Sequence, residues 1–66
     1  MSANNRLVIF KQDSQWRIKD EDADSGHGDL LENGPFDRLE DAVKSANEYM
    51  REYEVEYGLS IEEDFI

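Results

Sequence analysis

The order of apolar and polar residues predicts a β-hairpin in the first third of the chain. Residues 6–11, RLVIFK, are rich in β-branched and aromatic side chains, and residues 15–20, QWRIKD, alternate Trp16 and Ile18 with polar neighbours. Both patterns are typical of β-strands. The intervening QDSQ supplies turn residues, so residues 6–20 are expected to form an antiparallel hairpin.

A long amphipathic helix is predicted over residues 37–57. Asp37 and Glu40 form the D-x-x-E pattern of a helix start, in which the Asp side chain accepts a bond from a backbone N–H. Gly58 offers the positive φ at which helices often end. Between them, apolar residues recur at steps of three and four: Leu39, Val43, Ala46, Met50, Tyr53 and Tyr57, with Ala42 and Tyr49 widening the stripe.

Two less regular segments flank this helix. An acidic loop is predicted over residues 21–34, in which Leu30–Glu32 is a candidate for a short third strand. The tail, residues 58–66, contains a second S-x-x-E pattern at Ser60 and Glu63. That pattern predicts a short terminal turn that brings apolar side chains of the tail against the core: Leu59, Ile61, Phe65 or Ile66.

Together these elements predict a single α+β domain over residues 1–66, a small two-layer β-β-(β)-α fold. An antiparallel hairpin or three-stranded sheet would pack on one long helix. The apolar stripe also fits a coiled coil, but it is short, and the hairpin needs a cover for its own apolar face.

One helix covers only one face of such a sheet. The first strand, however, points Leu7 and Ile9 to one side and Val8 and Phe10 to the other. One of the two pairs therefore lacks cover from the helix. Either the tail and long polar side chains cover that pair, or a partner does, such as a second copy in a homodimer.

Charge adds an electrostatic asymmetry to this picture. The net charge is -10, of which residues 1–19 contribute +3 and the rest -13. An acidic surface repels nucleic acid and acidic membranes, so the expected partner is a basic protein surface. The chain has no Cys, no apolar leader and no apolar run long enough to cross a bilayer, which favours a cytoplasmic protein.

The acidic loop resembles a calcium-binding loop only in part. The first three ligand positions of an EF-hand are matched by Asp20, Asp22 and Asp24. The sixth position, which needs glycine, is Ser25, and the twelfth, which needs a bidentate glutamate, is Leu31. We therefore expect no metal site in this loop.

Catalytic chemistry is not expected either. His27 is the only histidine and lies between two glycines, as in an exposed turn. One histidine without cysteine is weak evidence for a zinc ligand or a general base. No phosphate-binding loop, nucleophile elbow or dinucleotide-binding glycine pattern occurs, so the chain is predicted to be non-enzymatic and without a cofactor.

The outer face of the predicted helix carries a strip of carboxylates. Three of them repeat at about 6 Å along the helix axis, which is similar to the spacing of phosphates on a nucleic-acid strand. Like charges four residues apart oppose helix formation, so helix stability alone does not favour them. The strip consists of Asp41, Glu48, Glu52 and Glu56, and Val55 alone interrupts this polar face.

In size, acidity and lack of catalytic motifs, the chain resembles the small DNA-mimic inhibitors of phages and mobile elements, including anti-CRISPR and anti-restriction proteins. The resemblance rests on EDADSGHGD, on the helix strip and on EED at residues 62–64. It implies an inhibitor whose carboxylates occupy a basic nucleic-acid-binding surface. The expected partner-binding residues are Asp41, Glu48, Glu52, Val55 and Glu56 on the helix, and Asp20, Glu21, Asp22, Asp24 and Asp29 near the loop.

Two alternatives stay open. The acidity also fits a salt-adapted surface, on which carboxylates keep the protein hydrated. In addition, WRIKD followed by GPFDRLEDAVKSA is similar to small uncharacterised β-β-α domains in which a Trp-bearing hairpin precedes a G-x-F-x-x-x-E-x-A helix start. Either alternative implies a self-associating structural or adaptor protein.

Calcium should have no specific effect on stability. We expect millimolar calcium to leave the thermal midpoint where sodium of equal ionic strength leaves it, because only specific binding to the folded state adds a mass-action term. Thermal melts with magnesium as the divalent control make the comparison. A calcium-specific rise that Asp22→Asn abolishes would contradict this expectation.

Overall fold

The computed structural model describes residues 4–62 as a four-stranded mixed sheet with one helix packed on one face. The sheet order is β3-β2-β1-β4, with β4 parallel to β1 and the other pairs antiparallel. The predicted two-layer α+β fold is confirmed, with a fourth strand that was not predicted. The elements are β1 (Asn5–Gln12), β2 (Gln15–Asp22), β3 (Gly28–Leu30), α1 (Leu39–Glu52) and β4 (Leu59–Glu62).

The hairpin forms around a tight turn at the predicted place. Asp13 and Ser14 adopt φ values of 52° and 66°, and positive φ at both turn residues matches the twist of the flanking strands. This turn fixes the register that pairs Gln12 with Gln15 and Asn5 with Asp22. The hairpin is therefore longer than residues 6–20, and the first part of the predicted acidic loop belongs to β2.

The core lies where α1 crosses the sheet. Leu7, Ile9 and Ile18 from the sheet and Ala42 and Ala46 from the helix are fully buried in one cluster. The predicted apolar stripe of the helix faces this cluster as far as Met50. Around it pack the half-buried residues Trp16, Leu31, Phe36, Leu39, Val43, Tyr49, Met50, Val55 and Leu59.

On the opposite face of the sheet, Val8 is buried by its neighbours within the sheet. Val8 is only 1% exposed although it lies outside the core cluster. In the sheet register its neighbours are Lys19 on β2 and Ser60 on β4. The Lys19 ammonium lies 5.4 Å from the centroid of the Phe10 ring. Ser60 of the tail and the long Lys19 side chain thus flank Val8 and Phe10. Val8 is therefore buried without a partner protein.

The helix starts two residues later than predicted and without the predicted cap. Its N-cap is Arg38, which makes no side-chain capping bond. Asp37 instead accepts a hydrogen bond from Gln15 Nε2 at 3.1 Å, which ties the loop before α1 to the hairpin. The D-x-x-E pattern therefore predicted the position of the helix start approximately. The capping bond that it predicted for Asp37 is wrong.

The helix also ends earlier, at Glu52 instead of Tyr57. Tyr53 is already extended, and the chain then returns to β1, where the Tyr57 N–H donates to the Asn5 carbonyl at 3.0 Å. Gly58 does adopt a positive φ, 74°, but it precedes β4 and does not end the helix. Pairing with β1 has overridden the helical period of the tyrosines.

The predicted terminal turn is replaced by β4. Ser60 pairs with Val8, and Leu59 packs against the core, whereas Ile61 is largely exposed. Glu63, Asp64, Phe65 and Ile66, which also entered the tail predictions, lie outside the described residues. In the described part of the chain, no helix combines the length and the apolar character needed to cross a membrane.

Ala46→Glu should unfold the domain. The substitution places an unpaired carboxylate in a fully buried position, and its cost exceeds the roughly 5 kcal/mol available to a marginally stable domain. Circular dichroism and thermal melting measure the effect. Asn47→Glu adds the same charge at an exposed neighbouring position and should keep a native spectrum; a native melt for Ala46→Glu would contradict the packing.

Candidate functional site

Glu21 belongs to an internal ion cluster. It is only 7% exposed and pairs in the sheet with Arg6. Arg6 Nε donates to Glu21 Oε2 at 2.7 Å, and Lys19 Nζ lies 3.3 Å from Oε1. The hydrogen bonds from Arg6 and then Lys19 lower the pKa of Glu21 below its usual range. Both carboxylate oxygens are therefore occupied, so the predicted placement of Glu21 in an exposed partner-binding loop is wrong.

Asp20 joins three elements of the fold. Its Oδ1 accepts a bond from Asn5 Nδ2 at 2.8 Å, and its Oδ2 accepts one from the Tyr49 hydroxyl at 2.9 Å. Burial, followed by this bond to Asp20, raises the pKa of Tyr49 to about 12. Asp20 thus fixes the Tyr49 ring against β1 and β2, a structural use that the sequence did not indicate.

The turn between β2 and β3 is organised by Asp22. Its Oδ1 accepts the backbone N–H groups of Asp24 and Ser25 at 2.8 and 3.2 Å. The His27 side chain is exposed, and the backbone N–H of His27 donates to Ser25 Oγ at 3.3 Å. Asp24 and Asp29 are exposed on either side of this turn. Within residues 4–62, no three His, Cys, Asp or Glu side chains come together as a set that could hold a metal ion.

The carboxylate strip on the helix is shorter than predicted. Asp41, Glu48 and Glu52 are exposed on α1, but Glu56 lies beyond its end. The three-carboxylate repeat is thus reduced to the single step from Glu48 to Glu52. Val55, predicted to interrupt the polar face, instead packs half-buried against the core. It therefore cannot serve as an exposed anchor on the helix.

A groove lies beside this strip, between α1 and the segment that follows β3. We call it the acidic groove; its volume is about 430 Å³. Asn33 Nδ2 donates to Ser45 Oγ at 3.0 Å, which ties that segment to the helix. The lining residues are Leu30 at the end of β3, Leu31, Glu32 and Asn33 from the segment, and Glu48, Tyr49, Glu52 and Tyr53 from the helix and its C-cap.

The two tyrosines give the acidic groove an aromatic wall. Their ring centroids are 4.6 Å apart, with the ring planes tilted by 33°. Tyr49 is held by Asp20, whereas Tyr53 is 55% exposed. The carboxylates that line the acidic groove belong to Glu32, Glu48 and Glu52. They have no ion-pair or hydrogen-bond partner among residues 4–62.

The acidic groove combines negative charge with aromatic and apolar surface. None of its lining residues is a Lys or Arg. Its chemistry therefore suits binding of a cationic group that also carries apolar surface. The sequence identified Glu48 and Glu52 but missed Glu32, Tyr49 and Tyr53 as parts of a site, because they come together only through the packing of the segment on the helix.

Comparison with known proteins gives no relative. No family model, curated protein or solved structure matches the chain significantly.

Glu21→Gln should lower the free energy of unfolding at neutral pH. It should also make that free energy fall less steeply as the pH is lowered. Because the folded pKa of Glu21 is depressed, its contribution is present above the ordinary glutamate pKa and is lost as the pH falls through the folded value. Urea denaturation at neutral and several acidic pH values measures this loss. Glu54→Gln, at an exposed position, should retain the wild-type profile; matching profiles for the two variants would refute the role of Glu21.

Proposed function

We propose that this protein is a non-enzymatic binding module that docks the acidic side of its helix on a basic surface of another protein. The observation that supports it is the position of the unpaired carboxylates. Glu32, Glu48 and Glu52 line one groove without a partner among residues 4–62, whereas Asp20 and Glu21 are used inside the fold. Three of the carboxylates that remain available to a partner therefore lie together beside the helix.

The form of this function that we favour is inhibition of a nucleic-acid-binding protein by phosphate mimicry. Basic surfaces that accept phosphates are rich in Lys and Arg, and the same groups would accept carboxylates. Glu48 and Glu52 are separated by about 6 Å along the helix axis, which is similar to the through-space distance between neighbouring phosphates on one strand. The target would be a cytoplasmic nuclease or related enzyme, as for anti-CRISPR and anti-restriction inhibitors.

Association would proceed in two steps. The negative field of the protein raises the rate of encounter with a basic surface. Close contacts then slow dissociation, and here Tyr53 and Leu30 are the exposed apolar groups next to the carboxylates. Tyr53 thus takes the anchoring role that the sequence predicted for Val55.

Self-association is the second candidate, because the charges are separated on the two sides of the molecule. Arg6, Arg17 and Lys19 share the sheet face that points away from the helix, as their register with β1 shows. Arg17 Nε is buried there without a hydrogen-bond partner among the described residues. A second copy could place its acidic helix on this face, so the oligomeric state in solution distinguishes the two candidates.

Charge reversal on the helix tests the proposal. Glu48→Lys with Glu52→Lys should preserve the fold, because both side chains are exposed on α1 and neither forms an ion pair or hydrogen bond among residues 4–62. The like-charged pairs that the two lysines create on the helix cost only roughly 0.2–0.5 kcal/mol each. It should lower affinity for a basic partner by about tenfold or more, mainly through a slower on-rate. The partner is first isolated from the native host by pull-down, and binding is then measured by surface plasmon resonance at two salt concentrations.

The control is Glu54→Lys with Glu62→Lys, which changes the net charge equally at exposed positions outside the acidic groove. It should reduce affinity much less. The partner's own nucleic acid should compete with the wild-type protein. Unchanged affinity in the helix variant would exclude docking through this side, and recovery of only this chain, as a dimer by ultracentrifugation, would favour self-association.

A further inference from the structure

We infer that the acidic groove binds the side chain of an arginine on the partner protein, an assignment that rests on the proposed function. The volume of about 430 Å³ falls within the range of small-ligand pockets, roughly 300–1,000 Å³. Its lining offers apolar surface for the stem of a long side chain and carboxylates for its charged end. These are the two chemical halves of a basic residue.

The charges of the lining select a cation. Glu32 lies on one side of the groove, and Glu48 and Glu52 lie on the other, so a bound group is placed between carboxylates of both walls. The nearby cations Lys44 and Arg51 form no ion pair with these carboxylates among residues 4–62; together with Glu48 they line a separate depression. An anion is therefore repelled, and a neutral ligand leaves the carboxylates without compensation.

The walls are organised before any partner arrives. Tyr49 is fixed by its hydrogen bond to Asp20. The Tyr53 ring packs against the Tyr49 ring, with the centroids 4.6 Å apart. Leu31 is packed against the core, and Asn33 is bonded to Ser45 on the helix. A groove with both walls held in this way loses little conformational freedom on binding, which favours affinity.

The exposed aromatic ring favours arginine over lysine. The guanidinium group is planar and stacks on an aromatic face, while its N–H groups fork toward carboxylates. The ammonium group of lysine is a compact, strongly hydrated charge that cannot do both as well. Tyr53, 55% exposed and beside Glu52 in the sequence and in the lining, supplies the ring and the carboxylate together.

The probe for this inference is a short peptide of alternating arginine and glycine, compared with a lysine–glycine peptide of equal charge. Titration of the isotope-labelled full chain is followed by two-dimensional NMR. The arginine peptide should bind about two- to fivefold more tightly, as expected for a cation–π contact at an exposed site. The largest shifts should fall on Leu31, Asn33 and Tyr53.

Variants of the lining separate the groove from general acidity. Tyr53→Leu should abolish the preference for arginine, whereas Tyr53→Phe should retain it because the ring remains. Glu52→Gln should weaken both peptides by about twofold, as loss of one exposed ion pair does. Asp13→Asn removes the same charge from the hairpin turn, away from the groove, and should change neither peptide.

Three results would overturn the inference: equal affinity for the two peptides, an arginine preference that survives Tyr53→Leu, or the absence of binding. Suppose that the two peptides bind with equal affinity, and that Asp13→Asn weakens binding as much as Glu52→Gln does. The acidic surface as a whole would then attract basic segments. That outcome would exclude the arginine site while leaving the proposed function intact. The proposed function fails separately, when charge reversal of Glu48 and Glu52 leaves partner affinity unchanged.

Discussion

The helix can rest on the sheet because alanine occupies the two helix positions that are fully buried at their contact. Ala42 and Ala46, one turn apart, meet the buried side chains of β1 and β2. Larger side chains there would lift the helix from the sheet, since a close-packed core has no spare volume. This approach also brings Tyr49, at the edge of the buried stripe, within 2.9 Å of Asp20. The aromatic wall of the acidic groove therefore depends on two methyl groups.

Much of the fold follows from local patterns, but the pairing of its ends does not. The hairpin and the helix could be predicted from their periods of alternation, and a turn at Asp13 and Ser14 also implies that Arg6 faces Glu21. Glu21 lies within a run of acidic residues, Asp20–Asp22, and that run hides its pairing with Arg6 in the sequence. The helix end could not be predicted in the same way, because β4 pairs with a strand far away in the sequence, and no local signal reports such pairing.

The candidate site could be predicted only in part, for a related reason. Glu48 and Glu52 were identified because one helix face carries both. Glu32 joins them only because the segment after β3 is held against α1, partly by the bond between Asn33 and Ser45. The number of acidic residues also exceeds the number available to a partner, since charge in a sequence does not reveal which carboxylates are already hydrogen-bonded.

The parallel pairing of β4 with β1 has a consequence for how the protein reaches its native state. The strand that completes the sheet comes after the helix in the chain, so the β1 edge stays open until a long loop has closed. Contacts between distant segments form slowly. During that interval β1 presents unpaired backbone groups beside apolar side chains, which is a template for strand exchange between molecules. Competition between closure and aggregation should therefore set the yield of refolding at high protein concentration.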